Sequence, residues 1–220
     1  MASKRLALVH TSATLVPVFA ALCKDRLPDV DVINLVDDSL IKDVIAQGEL
    51  RPSVARRVAR AIASAEDAGA DLILVTCSSI GSAVETAASL SSVQVLRVDR
   101  PMAELAVASA ERIGVIATLS TTLDPTVDLI RRCAAAAGKQ VEISARLCEG
   151  AFPALMNGDG AKHDELVSAQ LKTLLGQVDV IVLAQASIAR VVESLDDADH
   201  RVPILASPPT AIDRVSEILL

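Results

Sequence analysis

The chain has 220 residues, a formal charge of −7, and an apolar fraction of 51%, whereas aromatic residues make up only 1%. This length suits one large or two small domains, and a core built from Ala, Val, Leu and Ile is typical of parallel α/β sheets covered on both faces. The acidic charge argues against a general nucleic-acid-binding protein, which normally carries a basic patch.

The first segment of the chain has a superficial likeness to a secretory signal, because Lys4 and Arg5 precede an uncharged stretch that runs to Cys23. This stretch contains several polar residues, and no small-x-small cleavage site follows a compact apolar core. The four cysteines form no CxxC pair and lie near no His pair, which argues against a metal site or a disulfide framework. We therefore expect a first strand and helix, a reducing cytoplasmic location and no membrane association.

Four strand-like segments follow in order in the first half of the chain, and each has a counterpart in the second half. The clearest pair is DLILVTCSSI at 71–80 and DVIVLAQASI at 179–188, which start 108 residues apart. Both are apolar runs too short for a helix, and both end in small hydroxyl residues. The other pairs are 5–11 with 112–118, 30–48 with 141–159, and 93–98 with 202–207.

Helices are predicted between these strands from the residues that typically begin and end a helix. An amphipathic segment over 51–68 is closed by Gly69, and Asp124-Pro125 is predicted to begin a helix that Gly138 ends. The fold class is therefore α/β, with two tandem units related by a pseudo-twofold axis, each a four-stranded parallel sheet flanked by helices. The expected domains are residues 1–100 with a C-terminal helix at 208–220, and residues 101–207.

Ligands bind at the carboxyl ends of parallel strands, so the residues that follow the predicted strands are the candidate site residues. If both carboxyl edges face a shared cleft, that cleft is rich in hydroxyl groups and poor in cations. Hydroxyls and backbone amides at helix N-termini suit a carboxylate or another small anion. No GxGxxG or GxxxxGK[ST] motif is present, so a dinucleotide or nucleoside triphosphate site has no support. The candidate anion ligands are His10, Thr11, Ser12, Ser78, Ser79, Thr118 and Ser187.

At these residues the chain resembles the aspartate/glutamate racemase superfamily, which includes hydantoin racemases, maleate isomerase and arylmalonate decarboxylase. The resemblance covers essentially the whole chain and depends mainly on the paired strand ends at Thr76-Cys77-Ser78-Ser79 and Gln185-Ala186-Ser187. It implies that a cysteine from each half flanks the substrate's α-carbon, one removing a proton and the other delivering one to the opposite face. Here the first position is Cys77, but the second is Gln185, whose carboxamide does not titrate in water.

Cys77 is the candidate catalytic residue, and its place before a predicted helix is expected to lower the pKa of the thiol. His10 could pair with Cys77 or bind a substrate oxygen, since imidazole titrates near neutrality; a structural histidine is the alternative. Asp37, Cys148 and Glu149 lie near predicted strand ends and are further candidates for the acid that Gln185 cannot supply. Solvated carboxylates and a core cysteine are the alternatives for these three residues.

Three functions remain open on the sequence. The resemblance favours a cofactor-independent racemase or isomerase of a small carboxylate, with Cys77 as acid/base. Gln185 favours a single-cysteine decarboxylase of a malonate-like acid. A catalytically inactive small-anion-binding protein is the third hypothesis. No Lys lies at a predicted strand end, so pyridoxal phosphate is not implied and no cofactor is expected. The sequence does not decide whether the chain forms a homo-oligomer.

Overall fold

The computed structural model of the protein describes residues 3–192 and 202–220, and these fall into two compact units. The first unit contains the residues up to Arg100 together with Pro208–Leu220, and the second contains the described residues of Pro101–Ser207. Among the residues described, no helix combines the length and the apolar character needed to cross a membrane.

The first unit contains four strands, and helices connect them. In chain order its elements are β1 (Arg5–His10), α1 (Leu15–Arg26), β2 (Asp31–Val36), α2 (Ser39–Gln47), α3 (Pro52–Asp67), β3 (Leu72–Val75), a 3-10 turn (Ser78–Ile80), α4 (Gly81–Ala88), β4 (Gln94–Arg97) and the beginning of α5 (Arg100–Ser109). The last helix of the chain, α10 (Ser207–Leu219), packs in this unit, where Ala211, Ile212 and Val215 join the cluster around Leu6 and Phe19.

The second unit repeats the pattern. Its elements are β5 (Arg112–Ala117), α6 (Ser120–Ala136), β6 (Glu142–Leu147), α7 (Ala151–Met156), α8 (Gly160–Leu174), β7 (Val180–Leu183), a 3-10 turn (Ala186–Ile188), α9 (Ala189–Val192) and β8 (Ile204–Ala206). Most of α5 packs against this unit, because Met102, Ala103 and Ala106 join the cluster around Val115.

The two sheets have the same topology. Their strand orders are β2-β1-β3-β4 and β6-β5-β7-β8, and every pairing is parallel. β3 and β7 are fully buried because helices cover both faces, which explains why their sequences are continuously apolar rather than alternating. The predicted fold class, two tandem α/β units with four-stranded parallel sheets, is confirmed.

An aspartate fixes the start of the first strand in each unit. Asp71 Oδ2 accepts a hydrogen bond from the Arg5 backbone N–H at 2.7 Å, and Asp179 Oδ2 accepts one from the Arg112 N–H at 2.9 Å. Both carboxylates also pair with a basic side chain, Lys4 and Arg112 respectively, and both have a lowered pKa because of these hydrogen bonds. The aspartates that open the repeated sequence motif therefore have the same structural role.

The predicted start of one helix is wrong. α6 begins at Ser120, so Pro125 lies inside the helix rather than at its first position. A proline in the second turn forgoes one intrahelical hydrogen bond. Burial of Leu123, Thr126 and Val127 against the second unit's core offsets this loss, and the helix continues to the region of Gly138, whose φ is +64°.

Candidate active site

Cys77 lies at the carboxyl edge of the first sheet, two residues after the last residue of β3. It precedes the 3-10 turn Ser78–Ile80 in an extended conformation, with φ −134° and ψ 119°. The Thr11 side chain, at the end of the neighbouring β1, interacts with its sulfur. The backbone N–H groups of Ser79 and Ile80 also act on the sulfur electrostatically, although neither makes a cap hydrogen bond of ordinary geometry.

Burial raises the pKa of the Cys77 thiol, so the expected lowering by the following helix is wrong. Cys77 is 9% exposed. Removing a thiolate from water costs more free energy than the interactions with its polar neighbours contribute. Thr11 and the N–H groups of Ser79 and Ile80 favour the thiolate, but the negative charge of Asp99 adds to the effect of burial. The resting state at neutral pH is therefore a protonated thiol, which is a proton donor.

His10 is held by contacts inside the first unit. Its side chain is fully buried beside Phe19. Nε2 lies 2.9 Å from Asn34 Oδ1, which can only accept, so Nε2 carries the proton and Nδ1 accepts from the Thr76 hydroxyl at 2.8 Å. Desolvation lowers the pKa of His10, which keeps the ring neutral. Both ring nitrogens are thus engaged inside the first unit, as in the structural alternative, and the role of His10 in substrate binding stays a prediction.

Two charged residues near Cys77 were not recognised as site residues from the sequence. Arg97 ends β4 and is 3% exposed, and Asp99 follows it with no exposed surface. Arg97 Nε donates to Asp99 Oδ1 at 2.7 Å and its Nη2 donates to Oδ2 at 2.8 Å, a bidentate pair. The sequence signal that could have identified them is an arginine and an aspartate at the end of a strand, because buried charges in proteins are normally paired.

In the second unit, Gln185 occupies the position that corresponds to Cys77. It follows β7, precedes the 3-10 turn Ala186–Ile188, and has φ −136° and ψ 139°, close to the conformation of Cys77. Its Oε1 accepts from the backbone N–H of Thr118 at 2.5 Å and from the Thr118 hydroxyl at 3.0 Å. This orientation turns the carboxamide NH₂ away from Thr118, where it can donate hydrogen bonds.

The serine candidates are divided between the two sheet edges. Ser78 and Ser79 are buried in the turn after Cys77, whereas Ser187 is half-buried in the turn after Gln185. Ser12 is half-buried in the loop after β1, and its hydroxyl shares a hydrogen bond of 2.8 Å with the Thr14 hydroxyl. Each of these side chains therefore follows the carboxyl end of a strand within its own unit.

The three further candidates for an acid do not have equivalent surroundings. Asp37 accepts from the Ser39 hydroxyl and from Arg57 at 2.7 Å; hydrogen bonding to Ser39, followed by Arg57, lowers its pKa and keeps it ionised. Cys148 is 1% exposed, and burial raises its pKa to about 12, so its thiol is protonated at neutral pH. Glu149 is exposed. Asp37, which stays ionised, is therefore the one of the three whose surroundings disfavour a role as an acid near neutral pH.

Metal ligation is not indicated in the part of the chain that the structure describes. Within residues 3–192 and 202–220, no group of three or more His, Cys, Asp or Glu side chains is arranged to hold a metal ion.

The chain belongs to the Asp/Glu/hydantoin racemase family, whose model matches residues 8–215. The match spans both units and includes the strand ends that carry Cys77 and Gln185. The assignment to a racemase superfamily made from the paired strand ends is confirmed, and the chain is accordingly a racemase-family enzyme.

Solved structures show the same fold at low sequence identity. Glutamate racemase from Francisella tularensis subsp. tularensis SCHU S4, solved with D-glutamate, has a TM-score of 0.77 and 14% identity, with 100% of this chain and 82% of that chain covered. A glutamate racemase isoform from Bacillus anthracis has a TM-score of 0.75, 16% identity, and coverage of 98% and 81%. Allantoin racemase from Klebsiella pneumoniae has a TM-score of 0.71, 16% identity, and coverage of 98% and 87%. No curated protein matches the chain by sequence.

Proposed function

We propose that the protein is a racemase or isomerase of a small carboxylate in which Cys77 is the acid/base at carbon. The observation that carries the proposal is the thiol at a parallel-strand end, beside the Thr11 hydroxyl and two backbone N–H groups. Such donors can hold a carboxylate oxygen while the thiol exchanges a proton with the adjacent carbon. Substrates of the size of glutamate or allantoin, on which the similar structures act, fit this chemistry.

The proposed chemistry needs no cofactor. The thiol transfers the proton, and hydroxyls and backbone amides bind the carboxylate. The sequence has neither a GxGxxG motif nor a Lys at the strand ends named above. We propose a cytoplasmic location, because a thiol acid/base has to stay reduced.

A single-thiol decarboxylase is the second candidate, and the carboxamide at position 185 favours it. Inversion at carbon needs an acid/base on each face, and the carboxamide of Gln185 does not titrate. A malonate-like acid that loses CO₂ needs only one proton donor at carbon. In that reaction the C–C bond breaks, its electron pair stays on carbon as the enolate, and the Cys77 S–H protonates that carbon.

The test is solvent exchange at carbon. Amino acids, hydroxy acids, hydantoins and substituted malonates would be incubated with the protein in D₂O and followed by NMR. Exchange of an α-hydrogen without loss of CO₂ supports the racemase, and deuterium in a decarboxylated product supports the lyase. Cys77→Ala should lower the rate by roughly 10²–10⁴-fold, and Cys77→Ser should be nearly as slow because a hydroxyl is far less acidic. Equal rates for the parent and both variants on every compound would contradict a catalytic Cys77.

A further inference from the structure

The strand register places Asp99 and Cys77 at the ends of neighbouring strands. Val75 of β3 pairs with Arg97 of β4, and the Val98 N–H donates to the Val75 carbonyl at 3.0 Å. Cys77 and Asp99 each follow two residues after this pair, at neighbouring strand ends. The charge of Asp99 acts on the thiol from this position.

The buried guanidinium of Arg97 connects Asp99 to the turn that carries the thiol. Besides its bidentate pair with Asp99, Arg97 Nη1 contacts Glu85 Oε1 of α4 at 3.0 Å, and Arg100 contacts the same oxygen at 3.2 Å. The guanidinium also packs directly on Gly81, where an added Cβ would lie 2.3 Å from Arg97 Cζ. Gly81 is the residue after the turn Ser78–Ile80, so one side chain contacts both Asp99 and the far end of the turn.

We propose that the buried Arg97–Asp99 pair is a positioning element of the Cys77 site, in which Arg97 fixes Asp99 and the turn while Asp99 holds a negative charge beside the sulfur. The proposal rests on the proposed function of Cys77. The charge adds to the effect of burial, which is larger, in keeping the resting sulfur protonated and ready to donate to carbon. Among the described residues, the corresponding strand end of the second unit carries no such pair: β8 ends at Ala206, which pairs with Leu183, and Ser207 and Pro208 follow it. The charged pair therefore accompanies the thiol and is replaced where the thiol is replaced by Gln185.

The test is the titration of the Cys77 thiol, which needs no substrate. Thiolates absorb near 240 nm, and the chain has no Tyr or Trp to obscure them. Subtracting the titration of Cys77→Ser removes the contributions of Cys23, Cys133 and Cys148. Asp99→Asn should move the midpoint of the Cys77 titration down by about one pH unit or more. The variant removes the nearby negative charge and leaves the positive charge of Arg97 in place. The double variant Arg97→Gln/Asp99→Asn should show a smaller downward shift, and it avoids an unpaired buried guanidinium if the single variant does not fold.

Glu85→Gln is the matched control, because it removes one negative charge from the same network without touching Asp99. It should leave the Cys77 midpoint within about 0.3 pH units of the parent. An unchanged midpoint in a folded Asp99 variant, or an equal shift in Glu85→Gln, would overturn the proposal. Neither result bears on catalysis by Cys77, which solvent exchange in the Cys77 variants tests separately. A shifted midpoint in a protein that exchanges no substrate would support the positioning role and contradict the proposed function.

Discussion

Gln185 Oε1 lies 2.5 Å from the backbone nitrogen of Thr118, while in the other unit the Thr11 side chain interacts with the sulfur of Cys77. The two threonines directly follow β1 and β5, and each contacts a residue at the end of the neighbouring strand, Cys77 after β3 and Gln185 after β7. The repeat has therefore kept the threonine on both sides while the group it contacts differs, a titrating thiol in one unit and a neutral carboxamide in the other.

Gln185→Cys should raise racemization. The two-thiol chemistry implied by the family resemblance needs an acid/base at both strand ends, and the variant supplies the second one. We expect α-hydrogen exchange with inversion to rise at least about tenfold, measured by chiral chromatography together with NMR in D₂O. Gln185→Ala is the control, because it removes the carboxamide without adding a thiol. A variant that racemizes no faster than this control would argue against a proton-transfer role for position 185.

The pH–rate profile should distinguish the two candidate reactions. The pKa of Cys77 is raised, so the thiol is the resting form at neutral pH and the thiolate accumulates only at alkaline pH. An enzyme that needs the thiolate to remove a proton should gain kcat/KM as pH rises. A decarboxylase that needs the thiol to donate a proton should instead have a flat profile that declines when the thiol ionises. Either profile should lose its alkaline limb in Cys77→Ser.

Gly81→Ala should destabilise the protein although Gly81 has helical dihedral angles. Its φ is −57° and ψ is −39°, so backbone propensity alone would favour Ala by up to about 1 kcal/mol. The new Cβ would overlap the Arg97 guanidinium, which is held on both sides by carboxylates. Overpacking of this kind costs about 1–3 kcal/mol, so we expect a net loss of roughly 1–2 kcal/mol in urea unfolding. The neighbouring exposed Ser82, changed to Ala, is the control and should be neutral or slightly stabilising.

Acid should destabilise both units through the two strand-capping aspartates. The folded-state pKa values of Asp71 and Asp179 are lowered, so their contribution is present above the unfolded pKa of about 4 and is lost as pH falls through the folded values. The parent should therefore lose stability below about pH 4, and Asp71→Asn/Asp179→Asn should show a shallower decline in that range. Thermal unfolding followed by circular dichroism from pH 6 to pH 2.5 measures the difference. Parallel declines in the two proteins would mean that other carboxylates control the acid transition.

Local sequence patterns determined the architecture. A buried parallel strand has to be apolar along its whole length, so β3 and β7 are recognisable from short segments, and their repetition predicts two similar sheets. The same segments end at Cys77 and Gln185, which made the asymmetry of the two strand ends visible without coordinates. A buried strand ends where its apolar run stops. The residues that directly follow the run therefore lie at the carboxyl edge of the sheet.

Only the tertiary structure decided the electrostatics of those strand ends. The pKa of Cys77 depends on burial and on Asp99. Burial keeps His10 neutral, although its hydrogen bond to Asn34 raises the pKa of the ring, and Asn34 and Thr76, which contact it, lie far from it along the chain. The beginning of α6 likewise follows from burial against the second core, which outweighs the local preference of Pro125. The type and spacing of residues predict the path of the backbone. The protonation state of a side chain depends instead on its burial and on the charges and hydrogen bonds around it, and these are brought together only when the chain folds.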